Sequence, residues 1–460
     1  MSIKGSSVRP LIILIGDIVI IPISYLTGYW IRFGYISGFR ENFPFWFIPL
    51  IILSYLAIFY FLDLYNLRKK FFTLNLIVIT ALSIAVAAVF VSFLNYVIFL
   101  YPIGRGILVI ANTILLLLSL TWRGLCYQIF KYLIKSTRVV IAGTGKPGQE
   151  IARVIESSES DFEVLGFLDD ERKSTGKTGP GKGIKVLGTI DRLLALAEKH
   201  KIDQLINTYS SKDNPQISKN ILNARLKGIE VLDMPEMYQN LKLRIPINYV
   251  EESWFLKEKG FEYPKNIVVM RAKRIIDVFV STLVLLISLP FWPIIALLIK
   301  INSRGPVFYA QRRVGQNEIL FFLYKFRSMI LGAEESGALW AAERDERITF
   351  VGKILRRFHL DELPQFWNVI KGEMSLVGPR PERPEFVEEL GKKIPFYGLR
   401  HFLKPGITGW AQVNYPYASS LRDSEEKLEY DLYYVSHMNL LFDLRILLNT
   451  GQKILLGKRF

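Results

Sequence analysis

Long apolar segments alternate with short polar stretches over the first third of the chain. Four of them are close to the ~20 residues that an α-helix needs to cross a bilayer. They cover residues 11–31, 43–64, 72–100 and 107–122. The pattern therefore predicts a first domain, residues 1–136, that is a bundle of four transmembrane helices.

Lysine and arginine are concentrated in alternate connections between these segments. The richer connections contain Lys4 and Arg9, then Arg68, Lys69 and Lys70, then Arg123, Lys131, Lys135 and Arg138. Because positively charged loops stay in the cytoplasm, the N-terminus and everything after Arg123 are predicted to begin there. Asp17, inside the first segment, is expected at the membrane interface.

From Thr137 the pattern changes to short apolar strands that alternate with amphipathic helices. This alternation predicts a doubly wound, Rossmann-like α/β domain with a parallel sheet over residues 137–264, and this domain is expected to be dispensable for catalysis. Gly143, Gly145 and Gly148 have G-x-G-x-x-G spacing at the first strand-to-helix turn, and Asp169 follows. These residues fit a nucleotide-binding turn with a ribose-binding acid. The glycines fit close strand–helix packing equally well, so binding of NAD or another nucleotide stays doubtful.

A second apolar region covers residues 273–301. Pro290 lies near its middle, where proline breaks the hydrogen-bond ladder of a helix. Both flanks are basic, so a full crossing would carry the second basic cluster outside the cytoplasm. We therefore predict a re-entrant helix that bends at Pro290, with Ser288 available to satisfy broken backbone groups. An ordinary kinked span is the alternative.

Composition narrows the class of partner. Half of the residues are hydrophobic and the formal net charge is +16, which favours an anionic partner such as a membrane surface, a nucleic acid or a phosphorylated substrate. Cys126 is the single cysteine and there are four histidines, so a disulfide framework is excluded and a histidine metal site is disfavoured.

The stretch after the second apolar region is basic and aromatic. Gln311, Arg312, Arg313, Lys325 and Arg327 offer hydrogen-bond donors to phosphate. A solvated charged face and a membrane-interface surface are the alternatives for this stretch.

Two adjacent acids, Asp361 and Glu362, stand before a helical pattern that Gly372 should end. Asp361 is expected at the helix N-cap, which would explain it structurally. The helix dipole would also keep it ionised, as a carboxylate nucleophile requires, and Glu362 could hold Mg²⁺. Downstream, Arg380 lies between two prolines, the second being Pro381, on a rigid turn suited to an anion.

The last ~190 residues resemble the monotopic polyprenyl-phosphate glycosyl-1-phosphate transferases, the bacterial sugar transferases that start surface glycan assembly. The resemblance rests on the ordered motifs "KRIIDV", "YKFRSM", "LDELPQFWNVIKGEMSLVGPRP", "KPGITGWAQVN" and "YDLYYVSHMNLLFDL". The four spans and the Rossmann-like domain resemble the large subgroup of this family. The resemblance implies a mainly α catalytic domain over residues 265–460.

The resemblance also implies roles for residues. Asp361 matches the nucleophile and Glu362 the Mg²⁺ ligand; Arg380 and Pro381 match the turn near the nucleotide, and Pro290 the re-entrant break. Leu289 departs from the serine that many relatives have before that break.

The implied partners are a UDP-sugar donor, an undecaprenyl phosphate acceptor, membrane lipid and a second copy of the chain, but no nucleic acid. The implied location is the cytoplasmic face of the bacterial inner membrane, and the implied product is UMP with a lipid-linked sugar for exopolysaccharide or O-antigen.

Two other functions remain open at this stage. A membrane-anchored sugar-nucleotide oxidoreductase or epimerase would use the turn at Gly143–Gly148, but a Tyr-x-x-x-Lys catalytic set is not evident in that domain. A membrane scaffold or sensor would leave the charge pattern of the last domain unexplained.

Overall fold

A computed structural model of the chain describes residues 5–36, 39, 47–62, 64–65, 74–94, 96, 104–133, 136–158, 161–170, 184–209, 215–262, 267–333, 347–415 and 420–455. The chain divides into two compact units, Met1–Val231 and Leu232–Phe460. The basic cluster at 68–70 and the stretch at 416–419 lie outside the described residues.

Four helices occupy the predicted membrane segments. They are α1 (Gly5–Phe33), α2 (Phe47–Phe61), α3 (Leu74–Leu94) and α4 (Arg105–Leu133). Within them, Pro10–Phe33, Leu76–Leu94 and Gly106–Phe130 are long and apolar enough to cross a membrane, whereas α2 has 15 described residues. These helices indicate a multi-pass membrane protein. The predicted ends at 43–46, 63, 72–73, 95 and 97–100 lie outside the described residues.

Polar side chains link the helices of this bundle. Tyr55 donates to Asn112 Oδ1 at 2.6 Å and lies 2.9 Å from the hydroxyl of Tyr25. Asp17 is fully buried and accepts two hydrogen bonds from Arg123, at 3.0 and 2.8 Å. Sequence analysis had predicted that Asp17 lies at the membrane interface. The structure places it in a buried ion pair between α1 and α4.

A five-stranded sheet lies in the first unit, apart from the last two residues of its fifth strand. Its strands are β1 (Thr137–Ala142), β2 (Phe162–Leu168), β3 (Val186–Gly188), β4 (Gln204–Asn207) and β5 (Glu230–Asp233). The order is β3-β2-β1-β4-β5, and the β1–β2, β1–β4 and β2–β3 pairs are parallel. The connecting helices are α5 (Lys146–Ser157), α6 (Leu193–His200) and α7 (Pro215–Leu226). The parallel sheet of the predicted α/β domain is confirmed.

The glycines of the first turn allow close packing between β1 and α5. Gly143 has φ +105°, and a Cβ atom on Gly148 would collide with the carbonyl oxygen of Gly143. Asp169 is buried and accepts hydrogen bonds from the backbone N–H and hydroxyl of Thr144. Gly145 starts α5 as its N-cap without a side-chain cap bond. Asp169 therefore has protein partners in the position where a ribose contact had been expected, because the β1–α5 turn folds back onto it.

The second unit begins with a segment that sequence analysis had assigned to the sheet domain. Residues 234–262, which we call the strap, contain α8 (Met234–Lys242) and α9 (Glu252–Lys257). Ile245 and Ile247 of the strap are buried in one core cluster with Leu390, Tyr397 and Leu428. This placement moves the boundary from the predicted residue 264 to residue 231, because apolar strap residues complete the core of the second unit.

The second apolar region forms a helix that is broken at the predicted place. Helix α10 (Ile267–Ser288) leads through a 3-10 turn, Leu289–Phe291, into α11 (Trp292–Asn302). Ser288 donates to the carbonyl of Leu285 at 3.2 Å and accepts from the indole N–H of Trp292 at 3.2 Å. The structure thus has a 3-10 turn at Pro290, where the break was predicted, while Ile267–Asn302 as a whole is long and apolar enough to cross a membrane. Re-entry into the same membrane face stays a prediction, with an ordinary kinked span as the alternative.

The rest of the second unit is mainly helical, with two small sheets. A ribbon pairs β6 (Phe308–Val314) with β7 (Leu320–Phe326), and β8 (Ser375–Val377) lies parallel to β9 (Gly406–Thr408). The helices are α12 (Phe350–Arg357), α13 (Gln365–Lys371), α14 (Pro384–Lys393), α15 (Trp410–Asn414), α16 (Leu421–His437) and α17 (Leu440–Leu455).

Candidate active site

Asp361 and Glu362 lie in a short 3-10 turn, Leu360–Glu362, between α12 and α13. His359, at φ 54°, turns the chain sharply after α12. Helix α13 begins at Gln365 with Pro364 at its N-cap, and neither helix start shows a side-chain cap bond. The prediction that Asp361 is the N-cap is therefore wrong, because a left-handed residue and a separate turn precede the helix. Gly372, at φ 88°, ends α13 as predicted.

Glu362 is held by two cations. Its Oε1 accepts from Lys325 Nζ at 3.0 Å and from Arg380 Nη2 at 3.2 Å. Burial of Glu362 alone would raise the pKa of its carboxyl, but the charges of Lys325 and Arg380 hold that pKa well below its usual range. Glu362 is therefore ionised at neutral pH, and its charge fixes both cations beside Asp361.

Asp361 has the opposite electrostatics. It is 7% exposed, and burial together with the neighbouring charge of Glu362 raises the pKa of its carboxyl. Lys325 and Arg356 oppose this shift. The pKa of Asp361 is therefore raised although the ionised form had been expected, since desolvation is the largest effect on this side chain.

The ribbon determines which basic residues face the acids. Its register pairs Tyr309 with Lys325 and Arg312 with Phe322. Because side chains alternate across a strand, Gln311, Arg313 and Lys325 share one face while Arg312 lies on the other. Arg312 is exposed there. The structure therefore brings Lys325 to the acids and separates Arg312 from it.

Arg327 has a different environment from the predicted phosphate contact. Its guanidinium donates to the carbonyls of Ser303 and Arg304, at 2.7 and 2.8 Å, and to the hydroxyl of Ser303 at 2.9 Å. It is 6% exposed. These bonds satisfy the carbonyls that follow the end of α11, so we assign Arg327 a structural role in the broken helix.

Arg380 and Pro381 lie on a turn, residues 378–382, that follows β8 directly. Gly378 donates to the carbonyl of Thr408 at 2.9 Å, and Gly406 donates to the carbonyl of Pro379 at 2.9 Å. A Cβ atom on Gly378 would collide with the carbonyl of Lys404. The two backbones can approach this closely only with glycine here. The turn is thereby fixed to the small β8–β9 sheet, which supports the predicted rigid mount.

Two further arginines also hold this turn: Arg313, which sequence analysis selected as a phosphate donor, and Arg400, which it did not select. Arg313 donates to the carbonyl of Pro381 at 2.9 Å, and Arg400 donates to the carbonyl of Arg380 at 3.0 Å. Arg313 is next to Arg312 in the sequence, but only the strand register distinguishes them. Arg400 is preceded by a run without a chemical motif, so no local signal could have marked it.

The start of the broken helix is locked beneath the same turn. Lys273 forms an ion pair with Asp443 at 2.6 Å and donates to the carbonyl of Val377 at 3.0 Å. Asp277 accepts from the backbone N–H of Leu376 at 3.1 Å. The "KRIIDV" motif therefore connects α10 to β8, and through β8 to the turn that carries Arg380.

The acids meet the requirements for Mg²⁺ only in part. In the described residues, no group of three or more histidine, cysteine, aspartate or glutamate side chains converges on one point. Mg²⁺ is commonly bound by one or two carboxylates together with substrate phosphates. The hard oxygens of Glu362 and Asp361 therefore fit an ion that is shared with a diphosphate, but they do not form a complete protein cage.

Comparison with known proteins gives two matching sequence families. One, described as bacterial sugar transferase, matches residues 268–457. The other, described as CoA-binding domain, matches residues 61–235. The two matches together leave residues 236–267 unassigned, and most of the strap lies in this interval.

Three curated relatives are informative. The UDP-N-acetylgalactosamine-undecaprenyl-phosphate N-acetylgalactosaminephosphotransferase of Aeromonas hydrophila is 40% identical over 232 residues, 50% of this chain and 54% of that protein. The UDP-glucose:undecaprenyl-phosphate glucose-1-phosphate transferase of Klebsiella pneumoniae is 33% identical over 325 residues, 70% of this chain and 68% of that protein. The exopolysaccharide production protein PSS of Rhizobium leguminosarum bv. phaseoli is 41% identical over 187 residues, 39% of this chain and 92% of that protein.

The chain thus spans about half of the first relative and about two thirds of the second. The chain therefore belongs to the family of bacterial sugar transferases.

Proposed function

We propose that this protein transfers a sugar-1-phosphate from a UDP-sugar to undecaprenyl phosphate and releases UMP. The observation that carries the proposal is the pair Asp361–Glu362, in which one carboxyl is buried with a raised pKa while its neighbour holds Lys325 and Arg380. The relatives' names support the same reaction class with different sugars. The sugar-nucleotide oxidoreductase is not favoured, since Asp169 is bonded to Thr144 and the relatives are transferases.

The reaction proceeds through a covalent aspartyl intermediate. An oxygen of Asp361 attacks the sugar-bearing β-phosphorus of the donor, a new O–P bond forms, and the bond to UMP breaks. An oxygen of the lipid phosphate then attacks the same phosphorus, and the Asp361 carboxylate leaves. Both steps depend mainly on positioning and on neutralised charge, which Lys325 and Arg380 supply next to Glu362.

Mg²⁺ would be held by Glu362 together with the donor diphosphate, and when bound it would neutralise charge on that diphosphate. Lys325 and Arg380 occupy Oε1 of Glu362 in the structure described here. We infer that these cations turn towards the phosphates when the donor binds. Glu362 therefore orients the cations before binding and supports the diphosphate afterwards.

The location follows from the helices and the broken segment. We infer that the protein lies in the bacterial inner membrane with its second unit on the cytoplasmic face, where a soluble donor and a lipid acceptor can meet. The product would serve the first membrane step of exopolysaccharide or O-antigen synthesis. A homodimer is a further expectation, and light scattering of the detergent-solubilised protein tests it.

The test is a donor panel with the full-length protein. UDP-glucose, UDP-galactose and UDP-N-acetylgalactosamine are each supplied with undecaprenyl phosphate, and UMP release is measured with and without acceptor. Multiple-turnover release of UMP from at least one donor, dependent on the lipid, is expected. No UMP from any member of a broad panel of UDP-sugars would exclude the proposed activity.

A further inference from the structure

The turn that carries Arg380 is held through its backbone carbonyls. The carbonyls of Arg380, Pro381 and Glu382 accept hydrogen bonds from Arg400, Arg313 and the backbone N–H of Val314, respectively. The distances are 3.0, 2.9 and 3.0 Å. Three successive carbonyls are therefore fixed while the Arg380 side chain extends towards Glu362. Of the three donors, Arg400 is the one that is itself anchored on a separate helix.

Arg400 is nearly enclosed and has three polar partners. It is 6% exposed, and its guanidinium donates to the hydroxyl of Tyr397 at 2.7 Å as well as to the Arg380 carbonyl. Its Nη2 lies 2.7 Å from Oδ2 of Asp431 on α16, which is 1% exposed. The planar fork of arginine holds several acceptors in fixed directions, whereas the ammonium group of lysine is a compact point charge with rotatable donors.

A buried ion pair is a weak device for stability alone. Desolvation of two charges offsets much of their attraction, and well-packed apolar residues often do as well. The Arg400–Asp431 pair differs from a simple core contact because Arg400 also donates to the backbone carbonyl of Arg380, whose side chain faces Glu362. The path from α16 to the acids runs from Asp431 to Arg400, to the Arg380 backbone, and from the Arg380 side chain to Glu362 at 3.2 Å.

We propose that Arg400, anchored by Asp431, is a positioning residue for the transfer reaction, which fixes the Arg380 turn so that the Arg380 guanidinium meets Glu362 and the donor phosphates. This inference rests on the proposed function. It assigns to a buried arginine outside the acidic pair a defined effect on the geometry of the reaction. Displacement of a positioned group by about 1 Å can cost about 100-fold in rate, so loss of the fork should be visible in turnover.

The chain offers a matched control on the same helix. Arg244 of the strap forms ion pairs with Glu426 and Glu429 of α16, at 2.9 and 3.2 Å. Its side chain is 17% exposed. Its ion-pair partners belong to α16, whereas the turn at 378–382 is held by other residues. Arg244→Lys therefore makes the same chemical change in a partly buried ion pair of the same helix, without removing a contact to the turn.

The experiment compares Arg400→Lys with Arg244→Lys in the full-length protein. For each variant, kcat and KM for the UDP-sugar are measured by UMP release, Tm by thermal unfolding, and exchange of the peptide covering the turn by hydrogen–deuterium exchange. Arg400→Lys should lower kcat about 10- to 100-fold with a smaller change in KM, and it should raise exchange at the turn. Both variants should lower Tm by similar amounts, because each weakens an ion pair with α16. Arg244→Lys should nevertheless leave kcat within about threefold of wild type.

Asp431→Asn is a second, milder variant in case Arg400→Lys folds poorly. It keeps the side-chain shape but weakens the anchor of Arg400, so kcat should fall in the same direction with more exchange at the turn. If wild type is active and Arg400→Lys matches Arg244→Lys in kcat and in exchange, the positioning role is overturned and the proposed function stands. If wild-type protein releases no UMP from any donor, the proposed function itself fails, and the positioning role falls with it.

Discussion

Two neighbouring carboxyl groups differ in their environment more than their adjacency suggests. Glu362 is paired with Lys325 and Arg380, whereas Asp361 is buried without such pairing and its pKa is raised. An acidic pair whose two pKa values are pushed apart is typical of a site in which the two groups have different roles. The lower pKa belongs to the residue that holds cations, and the raised pKa to the residue that we propose as nucleophile.

Asp361→Asn tests that role most directly. The change removes the attacking carboxylate but keeps the shape of the side chain, so kcat should fall by about 1,000-fold or more. Intact-mass measurement without acceptor should detect a phosphosugar adduct on wild type and none on the variant. The Tm should be unchanged or higher, because the ionised Asp361 is disfavoured in the folded state and the amide carries no charge.

Glu362→Gln is the matched control for Asp361→Asn. It should also be severely impaired, but added Mg²⁺ should recover part of the activity, whereas Mg²⁺ should not rescue Asp361→Asn. If Asp361→Asn released UMP at nearly the wild-type rate, Asp361 could not be the nucleophile.

The pH dependence of adduct formation follows from the direction of the Asp361 pKa. Attack requires the ionised carboxylate, and burial and Glu362 raise its pKa above that of ordinary aspartate. As pH falls through the raised pKa, the carboxyl is protonated and the rate should fall, so the acid limb should lie above about pH 4, the ordinary value. Single-turnover adduct formation between pH 4 and 8 measures it.

A variant of Glu362 checks the pH profile of adduct formation. Glu362→Gln removes a negative charge, so the residual adduct formation of this variant should show an acid limb at lower pH. An acid limb that does not move, or one that lies at the ordinary aspartate value in wild type, would contradict the electrostatic account of Asp361.

At the scale of elements, the broken helix and the small sheets determine where the acids lie. Lys273 and Asp277 connect α10 to β8, and β8 leads into the Arg380 turn. Arg327 closes the end of α11 and leads out of β7, which carries Lys325. The broken helix is therefore joined to both cations that hold Glu362, so its insertion and the geometry of the acids should depend on each other.

Labelling tests the topology of the broken helix. The sole cysteine, Cys126, is first replaced by serine. Single cysteines are then introduced at two exposed positions, Arg271 near the start of α10 and Arg304 just after α11. If the segment re-enters, both should react with a membrane-impermeant maleimide from the same side. Lys273 is unsuitable as a probe because it is buried in the pair with Asp443.

Two further positions calibrate this labelling. Lys219 in α7 should react from the cytoplasmic side, and Tyr35 beyond α1 should react from the opposite side. Reaction of Arg271→Cys and Arg304→Cys from opposite faces would show a full crossing at Pro290 instead of re-entry.

At the scale of the whole molecule, the boundary between the two units changes what can be removed. The strap contributes Ile245 and Ile247 to a core of the second unit, and Trp410 donates to the carbonyl of Leu243 at 2.9 Å. Domain dispensability, expected from sequence for residues 137–264, should therefore hold only for the part before the strap.

Paired deletions test this boundary. A protein lacking residues 137–231, with a flexible linker, should insert and release UMP at a detectable rate. A protein lacking residues 137–262 should be unstable and inactive, since loss of the strap exposes an apolar core of the second unit. Thermal unfolding and UMP release report the two effects separately. Equal activity of both deletions would show that the strap is not part of the catalytic unit, and inactivity of a folded, inserted 137–231 deletion would show that the sheet is needed for catalysis.

Local pattern was sufficient for much of the architecture. The lengths of the apolar segments predicted the helices of the bundle, strand–helix alternation predicted the parallel sheet, and Pro290 and Gly372 marked a helix break and a helix end that the structure contains. Each of these features depends on the residue itself or on neighbours within a few positions, so the local sequence is enough to predict it. Adjacency alone also placed Asp361 beside Glu362.

Only the tertiary structure decided what surrounds those acids. Lys325 and Arg380 reach Glu362 from 37 and 18 residues away, and Asp17 meets Arg123 across 106 residues. Strand alternation separated Arg312 from Arg313, and folding buried Arg327 and Arg400 against backbone carbonyls. Burial and the charge of Glu362 raise the pKa of Asp361. Desolvation and long-range pairing depend on which distant segments pack together, and hydrophobic periodicity along one chain does not specify those partners.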